Sequence, residues 1–265
     1  MTDAWKPAQY ERFRDERAQP FRDLAALVEP RPGMRIFDLG CGTGELTAEL
    51  HQSLKARETV GIDSSAAMLA RVPQVPGLRF EQQDINSFAP EEKADLIFSN
   101  AALHWVPDHG PLFARLTTAL APGGQLAVQM PMTDDHLTHR TASELARSPM
   151  FRRLLGGYQG RPPLPEPERY ASWLHRLGHA RQHVRVVVYT HLLGSREEVL
   201  EWVRGAMLTD YQKRLPPQDW TRFLERYRQL LIPQLDDERP YFYTYPRILI
   251  WGALPAGGST APSHG

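Results

Sequence analysis

The run Ile36-Phe37-Asp38-Leu39-Gly40-Cys41-Gly42-Thr43-Gly44 constrains this chain more than any other stretch. A short apolar strand runs into glycines at alternate positions, and a helical pattern carrying Leu46 and Leu50 starts at once behind it. Glycine at such a turn tolerates positive φ and lets the backbone approach a ligand with no Cβ in between. Further on, Val60-Gly61-Ile62-Asp63 supplies a second strand ending in a carboxylate, the placement that grips ribose hydroxyls. The glycine spacing narrows the ligand. A dinucleotide-binding turn wants its third glycine three positions after the second, and here that position holds Glu45. A carboxylate opening the helix opposes a pyrophosphate seated on that helix N-terminus. The turn suits a nucleoside with no phosphate and with a positive centre.

S-adenosylmethionine answers that description. Around the turn, strand-like runs at Met34–Leu39, Thr59–Asp63, Leu78–Glu81, Ala94–Ser99 and Gln125–Met130 alternate with helical stretches at Glu45–Lys55, Ser65–Arg71 and Pro111–Leu120. Such alternation predicts βαβ units and a parallel sheet. Ahead of them Phe21, Leu24, Ala25 and Val28 fall at i, i+3, i+4, i+7, an amphipathic helix able to pack on that sheet. After Pro131 the pattern turns mostly helical. Tyr170, Trp173, Leu174 and Leu177 form one apolar stripe, and Val199, Trp202, Val203 and Ala206 another. His183–Leu192 and Tyr241–Leu254 read as two late strands. The chain therefore divides into an α/β core over 1–132 with N-terminal capping helices, a mostly helical substrate cap over 133–235 that includes a core helix and strand near 165–193, a final core strand within 236–254, and a disordered tail over 255–265.

Composition removes several function classes. Lys+Arg and Asp+Glu both number 31, so zero net charge gives no general attraction to nucleic acid or to an anionic membrane. No segment approaches a membrane span, and the charged N-terminal stretch holds no secretory h-region. The single cysteine, Cys41, allows no internal disulfide and points to the cytoplasm. Between His139 and Arg185 nine arginines face three glutamates; a solvated helical surface explains them better than an acidic partner does.

The residues resemble class I S-adenosylmethionine-dependent methyltransferases. Asp38–Gly44 looks like their first motif, Gly61–Ser65 their second and Gln83-Asp84-Ile85 their third. Asp95–Trp105 looks like the fourth-strand motif, and Leu120-Ala121-Pro122-Gly123-Gly124 follows it. Within the class the chain is most similar to trans-aconitate 2-methyltransferases, on Trp5…Tyr10…Phe13…Arg17…Pro20, Asp63–Met68, Ala127–Pro131, Tyr189-Thr190-His191, Glu201–Gly205 and Pro246-Arg247. One departure stands out: Leu208-Thr209-Asp210 occupies a place where that family tends to carry Leu-Arg-Pro. The resemblance implies a Rossmann-like seven-stranded methyltransferase sheet with a helical cap insertion before the last two strands.

In that frame Gly40, Gly42 and Gly44 pass beneath the methionyl part and ribose, and Asp38 balances the ammonium. Asp63, with Ser64 beside it, accepts from the ribose hydroxyls. Asp84 accepts from the adenine amino group, Ile85 reads a ring nitrogen through its backbone, and Met68 packs on the ring. Asn100 lines the methionyl pocket, and the resemblance assigns Arg17 to the cofactor carboxylate. Blander roles compete: Asp63 as a helix N-cap, Asp84 as a turn residue, Cys41 as a small buried side chain.

Tyr10, Phe13, Trp105, Trp202, Tyr211 and Arg247 are the substrate-binding candidates, with Trp105 and Trp202 equally readable as core. Arginine suits a carboxylate because it binds bidentately. An ionised carboxylate acceptor needs no general base, so no triad or metal is expected; His104 is the one candidate base, useful only for a hydroxyl or carbon acid. The leading expectation is an O-methyltransferase esterifying a small polycarboxylic acid, with S-adenosylmethionine as donor, acting as a monomer or weak dimer with no nucleic-acid or membrane partner. Methylation of another small acceptor, such as an acyl-carrier-bound acid or a quinone precursor, stays open through Asp210. Non-enzymatic S-adenosylmethionine binding and a nucleotide-dependent oxidoreductase are the alternatives from other classes.

Overall fold

The computed structural model describes residues 14–257, with side chains from residue 18 onward. Tyr10, Phe13, the side chain of Arg17 and the tail beyond residue 257 lie outside the described residues. The chain forms two compact units, one built from Arg17–Pro131, Pro165–Val187 and the chain from Arg247, the other containing Met132–Leu164 and Val188–Pro246.

The first unit is organised by a sheet. Strands β1 (Arg35–Leu39), β2 (Glu58–Asp63), β3 (Leu78–Gln82), β4 (Ala94–Asn100), β5 (Leu120–Pro131), β6 (Arg181–Leu193) and β7 (Tyr241–Ala253) line up in the order β3-β2-β1-β4-β5-β7-β6. β1 to β5 are parallel and β7 runs antiparallel to β5. The chain builds outward from β1 through β2 and β3, then returns to place β4 on β1's other side. Ligands of open α/β sheets sit at the carboxyl ends of strands where the order reverses in this way. β1, β2 and β4 are buried along nearly their whole length, as strands covered on both faces must be. Sequence pattern marks β5 only from Gln125, because Pro122, Gly123 and Gly124 mask its start; the strand in fact begins at Leu120.

Register places side chains on faces, because alternate residues of a strand point the same way. Asp38 pairs with Phe98, Phe98 with Ala127 and Ala127 with Trp251. Counting in twos, Asn100, Gln129 and Arg247 share Asp38's face. Helix α1 (Arg14–Ala25) lies on this face, with the Phe21 ring 4.9 Å from that of Phe98. So does α2 (Glu45–Ser53), which starts directly behind the glycine turn and buries Thr47. The remaining helices of this unit are α3 (Ala66–Leu69), α4 (His109–Thr118) and α7 (Pro167–Arg176). α7 joins α4 through a ring cluster of Tyr170, Trp173 and Phe113.

The second unit is helical: α5 (Leu137–Arg147), α6 (Pro149–Leu154), α8 (Glu197–Arg204), α9 (Thr209–Gln212) and α10 (Pro217–Leu231). Trp220, Phe223, Tyr227 and Leu231 recur at helical spacing on α10, and all are buried. A proline at the first position of α10 costs no hydrogen bond there. Val199, Trp202 and Val203 of α8 meet the same core. Each such side chain contributes about 1.5–3 kcal/mol of burial free energy.

Candidate functional site

The glycine turn is fastened to the end of β2. The N–H groups of Gly40 and Cys41 donate to Ile62 O at 2.7 and 3.0 Å, and the Gly42 N–H donates to Asp63 Oδ2 at 2.9 Å. Gly42 has φ +57 and looks onto open space, with nothing within 4 Å of a built Cβ. A side chain there would fill the approach to the turn. Gly44 has φ +76, and a Cβ on it would meet the Phe80 ring at 2.5 Å, so the close packing of turn on β3 also demands glycine. The other oxygen of Asp63 accepts from the Ser65 N–H at 2.8 Å. The cap of α3 is Ser65, whose Oγ accepts from the Met68 N–H at 3.2 Å. Asp63 is therefore positioned by the turn, and its oxygens keep lone pairs for further donors.

Asp38 sits one strand over, 3% exposed, with the Thr47 hydroxyl donating to its Oδ2 at 2.6 Å. Burial raises its pKa to about 7; the negative charge of Asp63 adds to the rise and the Thr47 hydrogen bond opposes it. No lysine or arginine pairs with it among the described residues. On β4, Asn100 Oδ1 is buried without a hydrogen-bond partner among the described residues. Two acceptors, one of them a carboxylate held near neutrality, thus lie at adjoining strand ends and call for a cationic donor. The ammonium and sulfonium of S-adenosylmethionine fit that need, and Gly42 leaves room for it.

The other candidates fall as follows. Met68 is buried on α3, and Ser64 is exposed, its carbonyl accepting from Gln82. Asp84 is exposed and caps the short turn Ile85–Ser87, with Oδ1 accepting from both nitrogens of Asn86 at 2.8 and 2.9 Å. Ile85 is half-buried, and its carbonyl accepts from Arg115. His104 and Trp105 follow β4 with ring centroids 4.6 Å apart. Arg247, 5% exposed, donates from Nη1 to Gln129 Oε1 at 3.3 Å. Trp202 and Tyr211 stand in the core of the helical unit: Trp202 stacks near His191 and meets Tyr243 and Tyr245 edge-on, and the Tyr211 hydroxyl donates to Gln159 O.

Two residues escape the sequence reading. Thr47 is betrayed only by its place on the inner face of the helix behind the turn. Gln129 is a polar residue in the apolar second half of β5. A cleft of about 400 Å³ lies on the opposite face of the sheet, lined by Arg35, Phe37, Glu58, Arg79 and Glu92 among others. Its cations are already paired, Arg35 with Glu58 and Glu92, and Arg79 with Glu58 and Glu81. Both arginines of that cleft are thus already paired with carboxylates.

Residues 10–192 match a family described as a methyltransferase domain. The trans-aconitate 2-methyltransferase of Deinococcus radiodurans is 43% identical, over 95% of this chain and 98% of its own. That of Sinorhizobium medicae is 38% identical, over 93% and 97%. The crystal structure of the YcgJ protein from Bacillus subtilis shares the fold with a TM-score of 0.60 at 16% identity, covering 91% of this chain and all of that one. With a family match across most of its length and relatives alike from end to end, the chain belongs to the S-adenosylmethionine-dependent methyltransferases.

Proposed function

We propose that this methyltransferase esterifies one carboxylate of trans-aconitate. What carries the reading is the end-to-end similarity to enzymes of that name, 43% identical in the nearest of the two described above. What S-adenosylmethionine supplies when bound is a methyl group activated on sulfur, taken by the acceptor oxygen while the C–S bonding pair stays on sulfur. The chain's own residues hold and orient. Asp63 grips the ribose hydroxyls, Asp38 and Asn100 receive the ammonium, Asp84, Ile85 and Met68 surround the adenine, and Arg17 takes the cofactor carboxylate. Trp105 and Arg247 belong to the acceptor's side, while the burial of Trp202 and Tyr211 supports packing roles for them. An acid acceptor is ionised at neutral pH and has no proton to give up, so His104 need not act as a base. Catalysis reduces to bringing an acceptor oxygen in line with the methyl, in a site closed to water.

Asp210, next to Thr209 where the resembling family tends to carry arginine, bears on the choice of acceptor. It accepts from the Tyr158 hydroxyl at 2.6 Å and pairs with Arg214 at 3.0 Å. Its charge is answered inside the helical unit, so it sets no bare negative charge against an acid. The same reading places the enzyme in the cytoplasm: one cysteine forms no internal disulfide, and among the described residues no helix is long and apolar enough to cross a membrane.

Incubation with labelled S-adenosylmethionine and a panel of organic acids, phenols and quinones tests the proposal. A base-labile methyl ester of trans-aconitate is the expected product. Turnover of phenols or quinones with no acid methylated would overturn it.

A further inference from the structure

Gln129 lies in the middle of the sheet and is fully buried, flanked by Asn100 on β4 and Leu249 on β7. Its Oε1 accepts from Arg247 Nη1 at 3.3 Å. A guanidinium offers only donors, so the amide oxygen must face it and Nε2 must point elsewhere. That nitrogen is buried and has no hydrogen-bond partner among the described residues. A donor removed from bulk water and left idle costs free energy, and native structures seldom keep one without a use.

The polarity of the neighbouring strand ends says what it waits for. On this face of β1 and β4 stand two acceptors, the carboxylate of Asp38 and the unpartnered Oδ1 of Asn100. On the same face of β5 and β7 stand two donors, the unpartnered Nε2 of Gln129 and the guanidinium of Arg247, which already gives one bond to Gln129 Oε1. The sign reverses between β4 and β5, on one face of one sheet. A cationic group suits the first pair and an anionic acceptor suits the second. A buried arginine beside an amide donor matches a carboxylate, which can take a charge-assisted bond from each.

We propose that Gln129 and Arg247 together form the receptor for a carboxylate of the acid substrate, namely one that is not esterified. This rests on the esterification of a polycarboxylic acid argued above. The esterified carboxylate is the poorer candidate, because an arginine and an N–H drawing on its oxygens would blunt them as nucleophiles. Gln129 is then a specificity residue: it selects acids that carry a second carboxylate, and the hydrogen bond from Arg247 aims its donor.

The test uses Gln129→Met, which keeps volume and removes the donor, and Gln129→Glu, which keeps shape and adds a like charge. Each protein is loaded with S-adenosylhomocysteine and titrated calorimetrically with trans-aconitate, and its affinity for S-adenosylhomocysteine alone is measured as the control for folding. The expected result is at least tenfold weaker acid binding in Gln129→Met and weaker still in Gln129→Glu, with S-adenosylhomocysteine affinity within twofold of wild type. Initial rates should show KM for the acid rising more than kcat falls. Unchanged acid affinity in both variants overturns the receptor while leaving the esterification reading intact, provided wild type still makes the ester. Weakened S-adenosylhomocysteine binding with acid affinity kept overturns it too, by assigning the amide to the cofactor's own carboxylate. A wild-type protein that neither binds nor esterifies any polycarboxylate removes both proposals.

Discussion

Several polar groups buried in the helical unit find partners within it, whereas Asn100 Oδ1 and Gln129 Nε2, at the strand ends of the sheet, have none among the described residues. In the helical unit, His139 lies between two hydroxyls, with Thr133 Oγ1 at 3.0 Å from Nε2 and Thr138 Oγ1 at 3.1 Å from Nδ1. Burial pushes its pKa down to about 3, so it is a neutral ring with one donor and one acceptor, both engaged. The Tyr227 hydroxyl donates to Thr138 O and that of Tyr211 to Gln159 O. At the strand ends Asn100 Oδ1 and Gln129 Nε2 are buried and idle among the described residues, and Asp38 carries an acid with no cation beside it. Satisfied polar groups specify a packing arrangement; idle ones mark where something else completes the structure. The acceptors Asp38 and Asn100 and the donor of Gln129 single out the strand ends without appeal to a cavity.

Trp202 puts the largest stress on this distinction. It is 2% exposed among aromatic rings, so Trp202→Ala should cost about 3–5 kcal/mol in urea or thermal unfolding, the range for a large aromatic removed from a core. The folded fraction should still bind S-adenosylhomocysteine with wild-type affinity. A variant of near-normal stability that had lost acid turnover would move Trp202 into the site and break the comparison.

Asp63→Ala comes next, with the opposite signature. Hydrogen bonds to a charged group are each worth about 1.5–3 kcal/mol, and two ribose hydroxyls are at stake, so S-adenosylmethionine should bind about 100-fold more weakly or worse by calorimetry. Loss of the Gly42 and Ser65 N–H partners loosens the turn and adds to the effect. Unchanged affinity would remove the ribose assignment.

These two residues also show what a sequence can disclose. The turn of Gly40–Gly44 and the carboxylate of Asp63 are readable because backbone conformation dictates residue type there: a left-handed turn packed on Phe80 admits glycine and little else. Trp202 is readable as part of an apolar helical stripe, but periodicity cannot tell a stripe that faces a core from one that lines a pocket. Gln129 is hidden more deeply. Its meaning depends on a hydrogen bond to Arg247, 118 residues away, and on the cross-strand register that sets it beside Asn100. The units divide at 131/132, where the sequence pattern turns helical, but also at 187/188 and 246/247, inside strands β6 and β7, where no loop composition marks the change.

Asp38 sharpens the comparison through pH, with the smallest effect of the three. Its pKa rises from 3.8 in an exposed chain to about 7 in the folded protein, chiefly through burial. Between those values the folded state holds a proton that the unfolded chain has released, so ligand-free stability is greatest at the acid end, declines as pH rises toward about 7 and is flat above it. Cofactor affinity should run the other way. An ammonium favours the ionised carboxylate, so binding should tighten about tenfold per pH unit up to about 7 and then level, each unit being worth about 1.4 kcal/mol. Calorimetry in buffers of different ionisation heat should find close to one proton released on binding at about pH 6 and none from this group well above 7. Asp38→Asn keeps an acceptor for the Thr47 hydroxyl and should flatten both profiles. Affinity independent of pH in the wild type, with no proton released, would mean that the buried acid does not meet the cation, and the idle strand-end groups would lose their strongest claim to be a ligand site.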